Sequence, residues 1–273
     1  MTAFFKPARD FRPAMDSPHR LLVFFKDRLV VKTTGAGAAL PRPEKLTLAG
    51  LEPYMPLRLG TIRDRTYSGC QVRQEPKLPE GLALTGLRAL FGRLDEADFQ
   101  IAGYAMQLLT WVADNRYCGR CGSAMTLEEG DRALICTACR NTLYPRISPA
   151  IIVAITSGHR LLLARSGRFP GRRMFSVIAG YVEPGETLED CVRREIREEV
   201  GLKVRRIRYF GSQAWPFSGS LMVGFTAEHA NGRIAVDGRE ILEADWFTRD
   251  QLPEIPGKIS IARQLIDWFV ENH

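Results

Sequence analysis

The stretch Gly180–Leu202, GYVEPGETLEDCVRREIREEVGL, decides the fold because it specifies one helix together with both of its ends. Thr187 followed by Asp190, just after a Pro-Gly pair, is typical of a helix N-cap. Gly201 is placed to end the helix. Aliphatic residues recur at every fourth position, as on a helix that packs against a core: Leu188, Val192, Ile196 and Val200.

Three glutamates lie on one face of this predicted helix. At about 100° per residue, Glu195, Glu198 and Glu199 share a face roughly 100° wide. Arg194 can pair with Glu198 one turn ahead. Carboxylates this close repel each other unless a positive charge lies among them, and Mg²⁺ and Mn²⁺ prefer such oxygen ligands. A solvated helix rich in Glu and Arg is the alternative that the charge pattern alone would favour.

The rest of the stretch decides between these two interpretations. The spacing is Gly180, five residues, Glu186, seven residues, Arg194-Glu195, an aliphatic, any residue, Glu198-Glu199, any residue, Gly201 and an aliphatic. Every defined position of the Nudix box is thereby filled. The chain resembles the Nudix hydrolases, which use divalent metal to cleave nucleoside diphosphates linked to another group. The resemblance implies an α/β fold, the Nudix α/β/α sandwich with a mixed sheet, and does not name the substrate.

The composition is that of a soluble globular protein. The chain has 273 residues, 45% of them hydrophobic and 25% charged, enough for one large domain or two smaller ones. The sequence shows no apolar run as long as a membrane span and no signal peptide, so we expect no membrane partner and a cytoplasmic location. The net charge of +7 suits anionic ligands such as nucleotides or RNA, and serves solubility equally well.

Four of the six cysteines form two CxxC pairs. Cys118 and Cys121 are followed, after 14 residues, by Cys136 and Cys139, which is the spacing of a four-thiolate zinc ribbon. Two disulfides are the alternative, but nothing else in the sequence indicates an oxidising compartment. Because four thiolates leave zinc no open position, we predict a Zn²⁺ ion that is structural and not catalytic.

Three domains are expected along the chain: an N-terminal α+β domain at 1–113, a zinc ribbon at 114–143 and a Nudix hydrolase domain at 144–273. In the first domain, LLVFF (21–25) and RLVVK (28–32) are typical of strands, and the apolar spacing over 99–112 predicts a helix. In the last domain a closing helix is predicted at 259–270, and strands are predicted at 150–155, 161–165, 175–180, 204–211, 220–228 and 244–249.

Segments outside the box narrow the resemblance. The zinc ribbon, YPRISPAII (144–152), SQAWPFSGSLM (212–222) and PGKISIARQLI (256–266) together resemble the NADH pyrophosphatase family, which includes bacterial enzymes that remove NAD caps from RNA. The family motif is SQPWPFPxSxM, and this chain departs from it at Ala214 and Ser218, where the family has proline. The resemblance covers residues from about 99 to 273.

This resemblance implies the site residues. Glu198 is the expected general base, with Glu199 next. The carbonyl of Ala179 and the carboxylates of Glu195, Glu199 and Glu240 are the expected ligands of Mg²⁺ or Mn²⁺. Asn231, Asp237 and Glu243 lie near Glu240 in sequence and are interpreted as surface residues. The expected substrate contacts are Tyr181, Gln213, Ala214, Trp215, Pro216, Phe217, Ser218, Gly219, Ser220, Tyr144, Asp131, Ala262 and Arg88.

The implied reaction is metal-dependent hydrolysis of the pyrophosphate bond of NAD(H), giving nicotinamide mononucleotide and AMP, with removal of NAD caps from RNA 5′ ends. Tyr181 and Trp215 are the candidates to stack on the flat nicotinamide. By resemblance Trp215 reaches into a partner's site, which implies a homodimer. Two alternatives are a hydrolase of another nucleoside diphosphate derivative such as ADP-ribose and a non-catalytic nucleic-acid-binding protein. The intact carboxylates disfavour the second alternative.

Overall fold

The computed structural model describes residues 5–12, 19–42, 54–62, 65–167 and 173–273. The chain divides into two compact units, Met1–Arg146 and Ile147–His273. The boundary predicted at residue 113 falls inside the first unit and stays a prediction.

The first unit is built on a sheet of seven strands and one long helix. Its elements are β1 (Phe5–Pro7), β2 (His19–Phe25), β3 (Arg28–Thr34), β4 (Gly37–Ala39), β5 (Tyr54–Ile62), β6 (Arg65–Gln71), β7 (Leu82–Gly86), a 3₁₀ turn (Leu87–Leu90) and α1 (Glu96–Asp114). The strand order is β1-β5-β6-β2-β3-β4, and β7 also pairs with β3. Only β2 and β6 run parallel among these described pairs. The two strands and the helix predicted for this region are confirmed.

Helix α1 covers one face of this sheet. It begins where the Asp95 carboxylate accepts hydrogen bonds from the backbone of Ala97 at 3.0 Å and of Asp98 at 3.3 Å. A side chain on Gly69 of β6 would meet Ala105 and Leu109 of α1 at 3.4 Å, so the helix packs directly on the strand. The zinc ribbon follows as a small antiparallel sheet of β8 (Met125–Leu127), β9 (Leu134–Cys136) and β10 (Thr142–Leu143).

The second unit is a six-stranded mixed sheet with a helix on each face. Its elements are β11 (Ser148–Ser157), β12 (Arg160–Ser166), β13 (Ile178–Tyr181), α2 (Leu188–Val200), β14 (Lys203–Trp215), β15 (Ser220–Asn231), β16 (Ile241–Thr248), a 3₁₀ turn (Arg249–Gln251) and α3 (Ile261–Asn272). The order is β14-β15-β11-β12-β16, with β13 also paired to β11. Strands β11 and β15 are parallel.

Alternation along β11 separates the two cores of this unit. Ile151, Val153 and Ile155 are fully buried beneath α2, whereas Ile152 and Ala154 face the core beneath α3. Each fully buried aliphatic side chain contributes about 1.5–3 kcal/mol. The predicted α/β/α sandwich with a mixed sheet is confirmed.

One predicted strand begins later than expected. The strand predicted at 175–180 starts at Ile178, and Ser176 makes only an isolated bridge to Ala164. The reason is that the backbone N–H of Phe175 bonds to the carbonyl of Glu254 at 2.8 Å, which directs this segment away from a continuous ladder.

Candidate active site

The ends and the buried stripe of α2 are as the sequence predicts. Thr187 Oγ1 accepts a hydrogen bond from the backbone of Asp190 at 3.2 Å. Gly201 ends the helix with a φ of 70°, a left-handed conformation that favours glycine. Val192, Ile196 and Val200 are fully buried, as is Cys191, and Leu188 packs partly buried against them. The opposite face of α2 is therefore left for its charged residues.

Arg194 is the centre of a charge network on that face. Its guanidinium binds Glu186 with two hydrogen bonds of 2.8 and 2.9 Å. It also donates to Glu195 at 2.8 Å and to Glu198 at 3.1 Å, as the helical spacing predicts for the latter. A further hydrogen bond of 2.9 Å reaches the carbonyl of Tyr181. One cation thus ties three carboxylates and the end of β13 together.

The carboxylates of this network differ in their electrostatics. The bidentate Arg194 lowers the pKa of Glu186 to about 2. Burial raises the pKa of Glu195 above its ordinary value, against the lowering effect of Arg194, and the charges of Glu198 and Glu240 add to the rise. Glu186 is therefore an anion. The ionised form of Glu195, by contrast, needs a further positive charge besides Arg194 to stabilise it.

Gly180 is required by the position of Glu195. A Cβ atom built on Gly180 would overlap the Glu195 carboxylate. That carboxylate therefore rests against the backbone of β13, one residue from Ala179. Its side chain is only 12% exposed, and Glu199 is 6% exposed. The glycine and the two glutamates of the box are thus parts of one packed arrangement.

Asp237 organises the loop that carries Glu240. Its carboxylate accepts hydrogen bonds from the backbone of Arg239 at 3.2 Å, Glu240 at 3.0 Å and Ile241 at 2.8 Å. Its own N–H bonds to the carbonyl of Glu199 at 3.3 Å. The sequence interpretation of Asp237 as a surface residue missed this role. The Asp-Gly pair at 237–238, typical of a turn closed by the aspartate side chain, was the available signal.

The donor chemistry of this region fits a hard divalent cation. Glu195 and Glu199 are enclosed carboxylates one helical turn apart, and Glu240 is close enough to influence the pKa of Glu195. Across the described residues, the cysteines alone form a group of three or more ligand atoms all within 4.8 Å. Glu195, Glu199 and Glu240 do not form such a group, but their oxygen donors are of the kind that hard divalent cations prefer.

The four CxxC cysteines meet in one cluster in the first unit. Cys118 and Cys139 have their Sγ atoms 3.7 Å apart, and Cys121 lies 3.5 Å from Cys136 and 3.4 Å from Cys139. A disulfide would need about 2.05 Å, and all six cysteines of the chain are free. Tetrahedral zinc with Zn–S bonds of about 2.3 Å separates neighbouring sulfurs by about 3.8 Å. The cluster fits a structural zinc ion and excludes the two-disulfide alternative.

The segment 212–222 forms the hairpin between β14 and β15, where Trp215 pairs with Ser220. The ring of Trp215 meets that of Phe217 edge-on at 4.9 Å. Pro216, Ser218 and Gly219 lie in the turn, and Ala214 is in the strand before it. The tip of this hairpin therefore carries an aromatic pair.

Tyr181 is tied to this hairpin. Its hydroxyl and Ser220 Oγ share a hydrogen bond of 3.1 Å, and Ser220 is also 2.9 Å from Ser218 Oγ. Ser220 is 2% exposed, whereas Tyr181 is 45% exposed. Tyr181 directly follows the Nudix glycine, so this contact joins the box to the hairpin.

Gln213 and Ala262 have packing roles in the structure. The Gln213 amide donates to the carbonyl of Ile259 at 2.8 Å and accepts from the backbone of Ile261 at 2.7 Å, which holds the start of α3. Ala262 is 6% exposed in the core beneath α3.

Three expected substrate residues belong to the first unit. Tyr144 donates to the Asp131 carboxylate at 3.0 Å, and this hydrogen bond raises the pKa of Tyr144. Arg88 is exposed on the 3₁₀ turn at Leu87–Leu90.

Comparisons with known proteins agree with this site. Models described as a NUDIX domain, an NADH pyrophosphatase zinc ribbon domain and an NADH pyrophosphatase-like rudimentary NUDIX domain match residues 146–269, 113–144 and 18–111. A protein of Stutzerimonas stutzeri named NAD-capped RNA hydrolase NudC is 50% identical over 70% of this chain and 68% of its own length. One of the same name from Pseudomonas putida F1 is 47% identical over 73% and 72%.

A solved structure supports the same assignment. The crystal structure of a NUDIX hydrolase from Nitrosomonas europaea has a TM-score of 0.51 and 25% identity, covering 58% of this chain and 92% of its own. The chain belongs to the Nudix hydrolases, in the zinc-ribbon NADH pyrophosphatase family. Among the described helices we find no segment with the length and hydrophobicity of a membrane span.

Proposed function

We propose that this protein hydrolyses the pyrophosphate bond of NAD(H) to nicotinamide mononucleotide and AMP, and removes NAD caps from RNA 5′ ends. The observation that carries the proposal is the Tyr181–Ser220 hydrogen bond of 3.1 Å, which joins the Nudix box to the aromatic hairpin. It connects carboxylates suited to pyrophosphate chemistry with rings suited to a flat base. The names of the relatives support the same substrates.

The glutamates of α2 and its neighbouring loop would hold the divalent metal. Glu195, Glu199 and Glu240, with the carbonyl of Ala179, are the proposed ligands of Mg²⁺ or Mn²⁺. When bound, these ions neutralise the pyrophosphate charge and polarise phosphorus. Arg194 fixes Glu195 against Gly180, so the ligand carboxylate is positioned before the substrate arrives.

Glu198 is the proposed general base. It is exposed on the same helix face, so it can reach a water molecule at the phosphate. Arg194 binds Glu198 through Oε2, which orients the carboxylate and leaves Oε1 to accept the proton. The water oxygen then bonds to one phosphorus while the bridging P–O bond breaks. Glu199 is the next candidate for this role.

Substrate recognition is proposed to involve Tyr181 and Trp215. Tyr181 is exposed, and the hydrogen bond between its hydroxyl and Ser220 restrains its side chain. Its ring is therefore positioned to stack on a base. The edge-on contact with Phe217 likewise restrains Trp215. We further propose that Trp215 acts across the interface of a homodimer, which sedimentation of the wild-type protein and of Trp215→Ala would test. The cytoplasmic location stays a prediction.

The test is product analysis with purified protein, Mn²⁺ and a panel of NADH, NAD⁺, ADP-ribose and NAD-capped RNA. We expect AMP and nicotinamide mononucleotide from NADH. Glu199→Gln should abolish turnover while the protein stays folded and zinc-loaded. Glu189→Gln, an exposed glutamate at the start of the same helix, is the matched control and should keep full activity. Undiminished turnover in Glu199→Gln would refute the mechanism, and faster cleavage of ADP-ribose would refute the substrate.

A salt series separates the two proposed substrates. kcat/KM for NAD-capped RNA should fall with added salt, because an RNA body adds phosphate contacts that release counterions. kcat/KM for NADH should change much less. Equal salt dependence for both substrates would show that the RNA body is not captured electrostatically.

A further inference from the structure

Two adjoining cavities lie within the first unit and share Tyr54 and Arg116 in their linings. The first has a volume of about 500 Å³ and also contains Lys26, Arg73 and Asp114. The second, of about 400 Å³, lies between β5, the end of α1 and the zinc ribbon. The carboxylates of α2 and the hairpin between β14 and β15 contribute to neither.

The first cavity is basic. Lys26, Arg73 and Arg116 contribute positive charge, and Asp114 is the acidic side chain among its described lining residues. Among the ion pairs between described residues, none involves Lys26, Arg73 or Arg116. Among the described residues, no ion pair neutralises these three charges, which suits an anion such as a phosphate.

Two of these cations, Arg73 and Arg116, contact Tyr54. The Arg73 guanidinium lies 4.2 Å from the centroid of the Tyr54 ring, a cation–π contact. Arg116 donates to the Tyr54 hydroxyl at 3.3 Å, and this hydrogen bond lowers the pKa of Tyr54. The ring and the two guanidinium groups thus form one preorganised cluster at the boundary between the cavities.

The second cavity is apolar. Its lining includes Leu57, Val112, Met125 and Leu134. Methionine and aliphatic side chains suit the flat faces of an aromatic base because they adapt to them. A basic cavity beside an apolar one, with an aromatic ring between them, matches the two ends of a nucleotide.

The backbone at this place is strained. Met55 has a φ of 55° where β5 departs from regular pairing with β6, between Tyr54 and Leu57. Lys26 has a φ of 57° in the turn between β2 and β3. Left-handed conformations are rare for such residues, and irregular strand pairing of this kind re-aims side chains. Both strained residues, Met55 and Lys26, line the cavities.

We propose that the two cavities form a nucleotide-binding site, with the phosphate in the basic cavity and the base in the apolar one. The nucleotide is either a free mononucleotide or one unit of a single-stranded RNA. The site is independent of the proposed hydrolysis, because its residues are not among those assigned to metal, water or nicotinamide.

Photo-crosslinking of the full chain tests this proposal. One arm uses 8-azido-AMP, and the other uses an uncapped RNA that contains 4-thiouridine, both without added Mg²⁺ or Mn²⁺. Digestion and mass spectrometry then locate the label. We expect it on peptides that contain residues 54–57, 112–116 or 125–127, and the arm that labels them identifies the source of the nucleotide. Label confined to peptides of residues 147–273, or no label in either arm, would overturn the proposal.

Variants make the assignment specific. Arg73→Gln and Tyr54→Ala should each lower labelling of these peptides at least about five-fold, the loss expected of one phosphate or stacking contact. Tyr54→Phe keeps the ring and should lose much less. Arg42→Gln removes an exposed charge of the same unit that lines neither cavity and should change nothing. Zinc content and NADH turnover should be normal in all four. If folded Arg73→Gln and Tyr54→Ala proteins were labelled as strongly as wild type, the proposed site would be refuted.

Discussion

The sheet of the first unit and the sheet of the second are built alike, but among the described residues the carboxylate face that we propose to bind metal lies on the second. Both are mixed sheets with one parallel pair, β2 with β6 and β11 with β15. Both pack a helix against their strands, α1 in the first and α2 in the second. The first region matches a model described as a rudimentary NUDIX domain, which agrees with this likeness.

The difference lies in what each helix presents beside its buried stripe. Nine residues of α1 are buried, all of them apolar or glycine. Its Asp98 accepts a hydrogen bond from Tyr67 at 3.1 Å, and burial raises the pKa of that carboxyl. Helix α2 instead brings the Glu195 carboxylate to the backbone of Gly180 and places Glu195 and Glu198 beside Arg194. The fold therefore positions the site, but the residues placed on α2 supply its chemistry.

The largest expected effect is a difference in activity between a substitution in α2 and one in α1. Glu195→Gln in α2 should lower kcat/KM for NADH by about 10²- to 10³-fold, the loss typical when a group that stabilises transition-state charge is removed. Asp98→Asn in α1 should leave kcat/KM unchanged. Steady-state kinetics with Mn²⁺ measure both. If Glu195→Gln retained full kcat/KM, the carboxylate face would not be the site.

Gly180→Ala should lower activity by about 10²-fold, because the new Cβ overlaps the Glu195 carboxylate and displaces it from its productive position. Gly211→Ala in β14 is the matched control, since a Cβ there meets nothing within 4 Å. Kinetics and Mn²⁺ affinity would be measured for each. Normal Mn²⁺ binding in Gly180→Ala would contradict the role given to this contact.

Loss of zinc should affect the first unit alone. Cys136→Ala removes one thiolate of the cluster, and we expect a loss of at least about 3 kcal/mol, or roughly 6–12 °C in Tm. Calorimetry measures the transition, and hydrogen exchange should show lost protection over 113–146 with α2 unchanged. An unaltered Tm in zinc-free protein would mean that the ribbon does not hold the fold.

The smallest effect concerns pH and has opposite signs in the two units. Glu186 has a pKa of about 2 when folded and about 4.3 when unfolded, so its stabilisation is complete above the unfolded pKa and is lost as the pH falls toward 2. Because the pKa of Asp98 is raised, its ionisation costs stability as the pH rises above about 4. Urea unfolding of Glu186→Gln and Asp98→Asn between pH 3.5 and 7 measures both.

The two variants should therefore diverge from wild type in opposite directions. The deficit of Glu186→Gln relative to wild type should shrink as the pH falls. Asp98→Asn should gain relative stability as the pH rises. Parallel pH profiles of both variants would show that the two carboxyls do not differ in environment.

Much of the second unit could be predicted because its signals are local. These signals depend on neighbours within one or two helical turns: the cap at Thr187, the aliphatic residue at every fourth position and the stop at Gly201. All three are confirmed. The cysteine spacing predicted the cluster for the same reason, since each CxxC turn is a local structure. The strand predicted at 175–180 was too long because Phe175 bonds to Glu254 and Ser176 bonds to Ala164, both distant in the sequence.

The order of residues in the chain is enough to establish an acidic helix with a glycine before it, a four-thiolate cluster and a mixed sheet, since periodicity and short spacings are properties of neighbouring residues. Three features depend on the tertiary structure: the Glu195 carboxylate against Gly180, the Asp237 N–H bonded to the carbonyl of Glu199, and Tyr181 bonded to Ser220. The latter two contacts cross turns or strands that no periodicity records. Burial and hydrogen bonding between distant segments decide which polar groups meet, and these exist only once the chain has folded.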